Sequence, residues 1–275
     1  MNVVPPREDR EHETPEWWRG GRRPSCDDLM TAATLLTVLP RRHVEAPRID
    51  GSALFYPLIG LVLGGVWIGF DRIVTPLPAW MRAAMVLAAW VAVTGGRQLA
   101  GFARTSGAVV VARSRQQALV AMASTRIDSG GALAAEVVSA LALLGLQWRS
   151  LTVLNHSRLP ALLFAPLLAS WSRVVLAHGS RAARSDGRQI KYASDVTFRE
   201  FAVASVCTFG VLFSLAQAAG IVVGVCAAVI VVGLRLSFHW WLGGITDAAV
   251  GAGAEIVLTL VLALFAAFEA GSVIS

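Results

Sequence analysis

"GIVVGVCAAVIVVGL", residues 220–234, places no charged or strongly polar side chain in the whole stretch. A helix at the surface of a water-soluble domain needs a polar face recurring every 3.6 residues, and this one has none. Its backbone can satisfy its own hydrogen bonds as a helix, which is what lipid demands. The rest of the chain agrees. Of 275 residues 55% are hydrophobic and 15% charged, with a mean hydropathy of +0.61, whereas soluble domains carry about 25% charged residues. A bilayer core of about 30 Å takes ~20 apolar residues per helix. Seven stretches approach that length: 53–74, 78–95, 131–148, 159–178, 201–217, 219–235 and 248–268. Several abut or are interrupted by single polar residues, so the count runs from six to eight. The expected fold is an all-α polytopic transmembrane bundle of about seven spans.

Residues 29–39, "LMTAATLLTVL", are too short to cross and suit a helix lying at the interface or half-inserted. Residues 1–28 include "PREDREHETPEWWRGGRRP" and are too polar for a secretory signal. They read as a disordered or surface-lying cytoplasmic arm, which leaves 29–275 as a single transmembrane domain.

The net charge of +6 and pI near 10.2 would suggest nucleic acid for a soluble chain. In a membrane chain they read as cytoplasmic loops rich in Lys and Arg, so lipid is the expected surrounding partner and nucleic acid is not expected. The basic connections are 40–52, 96–130 and 179–200, while the alternate connections hold only Arg149 and Arg158. This pattern puts the N-terminus and the long loops in the cytoplasm, on one side of the cell's inner membrane.

Carboxylates in or beside apolar spans are candidate sites. Asp71 precedes Arg72 and suits an interfacial pair, Glu136 lies near a span end and should be solvated, and Glu269 should be wet. Asp247 and Glu255 flank "GGITDAAVGAGAE" (243–255). Eight residues apart on a helix, they share a face about 12 Å apart along the axis. That is too far for one hard cation to bridge, although each could hold one with help from other helices. His43, His156, His178 and His239 fall in four separate places. Cys26, Cys207 and Cys226 have no metal spacing and read as small buried hydrophobes. The spacings Gly60–Gly64 and Gly65–Gly69 permit close helix packing. Residues 181–191, "RAARSDGRQIK", read as a solvated basic loop or a phosphate grip. P-loop, dinucleotide, Ser-His-Asp and CxxC patterns are absent from the sequence, as is an inverted repeat.

Several stretches in order resemble the cobalamin synthase family (adenosylcobinamide-GDP ribazoletransferase). They are "LLTVLP" at 35–40, "FYPLIGLVLGG" at 55–65, "WSR" at 171–173 and "GGITDAAVGAGAE" at 243–255. "GGRQLAGFARTSGAVVVARSRQQALVAMASTRIDSGG" at 95–131 is similar, without a gap, to the family's G-G-x-H-x-D-G-x-A-D-x-x-D-G signature and the R-D-S element beyond it. The family's histidine position holds Gln98 and its three aspartate positions hold Ala100, Arg104 and Gly107; the R-D of R-D-S falls on Ala123 and Ser124. Gly95, Gly96, Leu99, Gly101, Ala103, Thr105, Arg113, Ser114, Arg115, Arg126 and Glu255 keep the pattern, and Asp247 sits one residue before the family's aspartate.

The resemblance implies joining adenosylcobinamide-GDP to α-ribazole or its phosphate, with Mg²⁺ as cofactor. Its expected substrate contacts are Arg104, Thr105, Arg113, Arg115, Arg126 and Arg173, and the remaining metal ligands are Asp247 and Glu255. An active enzyme would recruit Asp247, Glu255 and Asp128 for metal. The alternative is a catalytically silent membrane paralogue that binds a corrinoid or nucleotide intermediate, or partners a second copy or an active synthase. Mg²⁺ takes hard oxygen ligands, which Ala, Arg and Gly side chains do not supply. A guanidinium can instead meet phosphate directly.

Overall fold

A computed structural model describes residues 25–39, 51–123, 130–183 and 196–272, and these are α-helical apart from short connections and one isolated bridge between Ala182 and Ile245. The helices are α1 (Cys26–Leu36), α2 (Tyr56–Ile73), α3 (Ala79–Thr94), α4 (Arg97–Val111), α5 (Arg115–Ala123), α6 (Gly130–Val153), α7 (Arg158–Ala177), α8 (Phe198–Leu242) and α9 (Asp247–Ser272), with a 3₁₀ turn at Ser52–Phe55 leading into α2.

Six helical segments are long and apolar enough to cross a membrane: Ser52–Ile73, α6, α7, the two halves of α8 and α9. Helices α3 and α4 meet at 90°, and they add a seventh span only when the bent pair is counted as one. Helix α3 covers the span expected over 78–95, and the bend follows it, where the 96–130 stretch expected as a connection begins with the helix α4. Gly95 and Gly96 turn the chain, with φ of 65° and 62°, a left-handed conformation that glycine adopts without a Cβ penalty. The 45 residues of α8 would run about 67 Å if straight, more than twice the bilayer core. Instead the run doubles back. A Cβ built on Gly220 falls 2.8 Å from the Leu212 carbonyl oxygen, and one on Gly224 falls 3.0 Å from the Phe209 ring. A straight helix would hold these positions about 12 and 22 Å apart. The two spans expected over 201–217 and 219–235 are therefore the arms of a tight hairpin.

Helices α7 and α9 form the centre, 83% and 72% buried over their most apolar windows, against 6% for α6 at the periphery. Gly60 and Gly64 face α7: a Cβ there would lie 2.8 Å from the Pro166 oxygen and 2.9 Å from the Leu163 oxygen. Gly65 and Gly69 face open space, so only the first small-residue pair packs helices.

At one end of the bundle, Asp71 is fully buried and pairs with Arg82 and Arg158, with Nε donors at 2.8 and 2.9 Å. The expected pairing with Arg72 is not formed, because consecutive helical residues point about 100° apart and Arg72 is exposed. Glu269, expected to be wet, is buried and accepts the backbone N–H groups of His156 (3.1 Å) and Ser157 (2.9 Å). These precede α7, where N–H groups lack intrahelical partners. Glu136 is half-buried against Gly107 rather than solvated. Cys26 and Cys207 are exposed and Cys226 is intermediate, not buried.

The opposite end carries α1, α5 and the turns at 95–96, 178–183 and 243–246. Helix α1 starts at Cys26, three residues before the expected boundary, behind a Ser25–Asp28 capping box. Its last carbonyls, Thr34 O and Thr37 O, accept the Arg97 guanidinium at 3.0 and 2.6 Å. The remainder of the expected arm, residues 1–24, lies outside the described residues.

Candidate functional site

Glycines set the position of α4. A Cβ on Gly101 would stand 2.9 Å from the Ala248 oxygen and 3.2 Å from the Gly251 Cα, so the helix crosses the first turn of α9 backbone to backbone. Thr246 caps α9, its Oγ1 accepting the Ala249 N–H at 3.1 Å, and Asp247 occupies the first helical position. The turn before it is pinned to the 181–183 segment: the Ile245 N–H donates to Arg181 O (2.8 Å) and the Ala183 N–H to Ile245 O (3.0 Å).

Arg104, Leu119, Met122, Ala123, Thr246, Asp247 and Ala248 line a cleft of about 110 Å³ between α4, α5 and the start of α9. Arg104 and Asp247 are both solvent-exposed there, so the cleft presents one cation and one carboxylate. The Thr246 hydroxyl also reaches Met122 Sδ at 3.6 Å, tying α5 to the turn.

Deeper in the bundle lies a second polar group. Glu255 is 2% exposed. Its Oε1 accepts Gln147 Nε2 at 2.9 Å, and the same amide nitrogen reaches Thr259 Oγ1 at 2.8 Å. With the Gln98 amide oriented to suit its neighbours, its nitrogen donates to Glu255 Oε2 at 3.3 Å and its oxygen accepts from Arg173 Nη2 at 2.9 Å. Four helices, α4, α6, α7 and α9, meet in this layer.

The structure thus separates the two carboxylates nominated for metal: Asp247 lines the cleft and Glu255 is sealed below it. Of the nominated substrate contacts, Arg104 faces the cleft. The Thr105 hydroxyl is spent on Gly101 O at 2.8 Å within its own helix. Arg173 is buried in the Glu255 layer. Arg113 and Arg115 are exposed at the α4–α5 corner, where the Arg115 guanidinium lies over Gly243. Arg126, Ser124 and Asp128 lie outside the described residues, as do His43 and positions 184–191 of the basic loop. His178 and His239 bond separate carbonyls, Val196 O and Arg235 O. Gln147 and Thr259 were not singled out from the sequence, although each is an isolated polar residue in an apolar span and so belongs to the class that merits scrutiny in lipid.

Mg²⁺ takes an octahedral set of hard oxygens, one or two carboxylates among them. The cleft offers the Asp247 carboxylate and the Thr246 hydroxyl, with the Arg104 guanidinium on the same wall. Among the described residues, no three His, Cys, Asp or Glu side chains gather closely enough to hold a metal. The donor set that these residues present does not fit the ion.

Fold and cleft together define a polytopic membrane protein with a polar, cation-bearing site at one end of its bundle. Residues 28–266 match the cobalamin-5-phosphate synthase family, and the chain belongs to that family. It is 31% identical to an adenosylcobinamide-GDP ribazoletransferase from Roseiflexus sp. (strain RS-1), over 90% of each chain. It is 31% identical to one from Pseudomonas savastanoi pv. phaseolicola over 84% of this chain and 95% of the relative. The figure for Chlorobaculum tepidum is 30%, over 88% and 96%. No solved structure matches.

Proposed function

We propose that this chain serves cobalamin synthesis as a binding member of its family, holding the phosphate end of a GDP-activated corrinoid in the Arg104 cleft. The metal-assisted transfer is not its task. The observation that carries this reading is the exposed guanidinium of Arg104 in that cleft. Phosphoryl chemistry needs a positive centre that neutralises developing charge and orients the attacking hydroxyl. A guanidinium meets the first need by bidentate hydrogen bonding to phosphate but cannot coordinate the nucleophile. Asp247, beside it, suits a sugar hydroxyl. On this reading the basic end of the bundle faces the cytoplasm, in accord with its arginines.

The test uses the full chain in lipid nanodiscs. Binding of adenosylcobinamide-GDP is measured by titration with Mg²⁺ and with a chelator, and cobalamin formation is followed after adding α-ribazole. Binding should occur in both conditions without Mg²⁺-dependent product. Arg104→Ala should weaken it about tenfold or more, because a hydrogen bond to a charged group contributes ~1.5–3 kcal/mol. The second reading, an active ribazoletransferase, is favoured by the similarity over nine-tenths of both chains. Mg²⁺-dependent turnover by the isolated chain would establish it and overturn the first.

A further inference from the structure

We propose that Glu255 is the internal counter-ion of Arg173 and not a metal ligand. Gln98 and Gln147 close this pair into a charge-balanced lock that positions α4, and with it Arg104.

The layer is dry. Glu255 is 2% exposed, Arg173 9%, Gln98 4%, Gln147 0% and Thr259 4%. A lone charge at such depth is strongly unfavourable and persists only when paired and hydrogen-bonded. Here the Gln98 amide links one carboxylate to one guanidinium. Both Glu255 oxygens are engaged, Oε1 by Gln147 and Oε2 by Gln98. A divalent ion would have to displace one amide and sit beside the Arg173 charge that already neutralises the carboxylate, and like charges in a low dielectric repel strongly.

Gln98 suits the bridging role. An amide carries a donor and an acceptor on one neutral group, and each end meets the partner of opposite need: donor to carboxylate, acceptor from guanidinium. Gln98 lies on α4, Arg173 on α7, Gln147 on α6 and Glu255 on α9, so the lock fastens the helix that bears Arg104 to the three behind it. The lock stands whether or not the cleft takes a corrinoid, so its failure and that of the binding reading are separate results.

The test is a double-mutant cycle in nanodiscs on Glu255→Gln, Arg173→Gln and their combination, with thermal unfolding followed by tryptophan fluorescence. Wild-type protein is titrated in parallel with Mg²⁺ alone. Each single variant should melt lower than the double variant, in which the layer is neutral again, and millimolar Mg²⁺ should leave the wild-type midpoint unchanged. If a single variant fails to fold, recovery of folded protein on adding the second substitution is the positive result. A double variant as impaired as its two singles combined would overturn the proposal. So would a Mg²⁺-induced rise in the wild-type midpoint that Glu255→Gln abolishes.

Discussion

Substituting Gly101 by Ala tests whether the α4–α9 crossing holds the cleft in shape. The added Cβ would stand 2.9 Å from the Ala248 oxygen and 3.2 Å from the Gly251 Cα, where ordinary contact begins at 3.4 Å. Both obstacles are backbone, so α4 must retreat by about half an ångström. Overpacking of this kind costs ~1–3 kcal/mol. Alanine's helical preference over glycine returns ~1 kcal/mol, leaving a net loss of about 1 kcal/mol. Gly107, six residues on, supplies the control. A Cβ there meets the Glu136 side chain, Cγ at 2.7 Å and Oε1 at 2.9 Å, with the Ala132 oxygen further off at 3.3 Å. A half-buried glutamate can swing aside, so the helical preference prevails and Gly107→Ala should be neutral or stabilising by up to ~1 kcal/mol. Thermal unfolding in nanodiscs should show Gly101→Ala about 2–4 °C below wild type and Gly107→Ala at or above it. Adenosylcobinamide-GDP binding should weaken only in the first. Equal shifts for the two variants, or the reverse order, would refute the claim that backbone contact at Gly101 sets this geometry.

The same contrast applies on α2, where a Cβ on Gly60 meets the Pro166 oxygen at 2.8 Å and one on Gly65 meets nothing within 4 Å. Gly60→Ala should therefore lower the unfolding midpoint and Gly65→Ala should not. Asp71→Asn should cost ~3–5 kcal/mol by leaving the buried Arg158 without its carboxylate. Arg82→Gln, at a side chain 22% exposed, should cost less, and chemical denaturation in micelles would rank them. Arg104→Asp would put a second carboxylate on the cleft wall beside Asp247. It should introduce a Mg²⁺-dependent rise in the midpoint that the wild type lacks, and the absence of any metal response would argue against the cleft geometry described.

Periodicity and hydropathy made the helical fold legible because lipid allows few alternatives. Even the α8 hairpin was readable as two spans abutting near residue 218, since 45 continuous residues exceed any single crossing. The right-angled bend at Gly95–Gly96 was not, because paired glycines fit a loop equally well and only their positive φ values commit the chain to a corner. Polar partners were the least legible part. Adjacency suggested Arg72 for Asp71, whereas its partners stand 11 and 87 residues away. Glu269 reads as solvated in the sequence because the N–H groups it accepts, those of His156 and Ser157, lie 113 and 112 residues away. Glu255 stood out as an intramembrane carboxylate, but its partner Gln147 lies 108 residues away and carries no charge to draw attention.

Positions 100, 104 and 107 follow i, i+4, i+7 spacing, so on α4 they share one face. Three carboxylates there would repel one another, and a cation among them would relieve that repulsion. With Ala100, Arg104 and Gly107 it carries a single positive charge. The crossing at Gly101 and the Arg173–Glu255 layer meet a different demand, close packing and internal charge balance, which persists whatever the face binds. The two sets of residues can therefore change independently. A chain of this fold can change this face and keep the bundle beneath it.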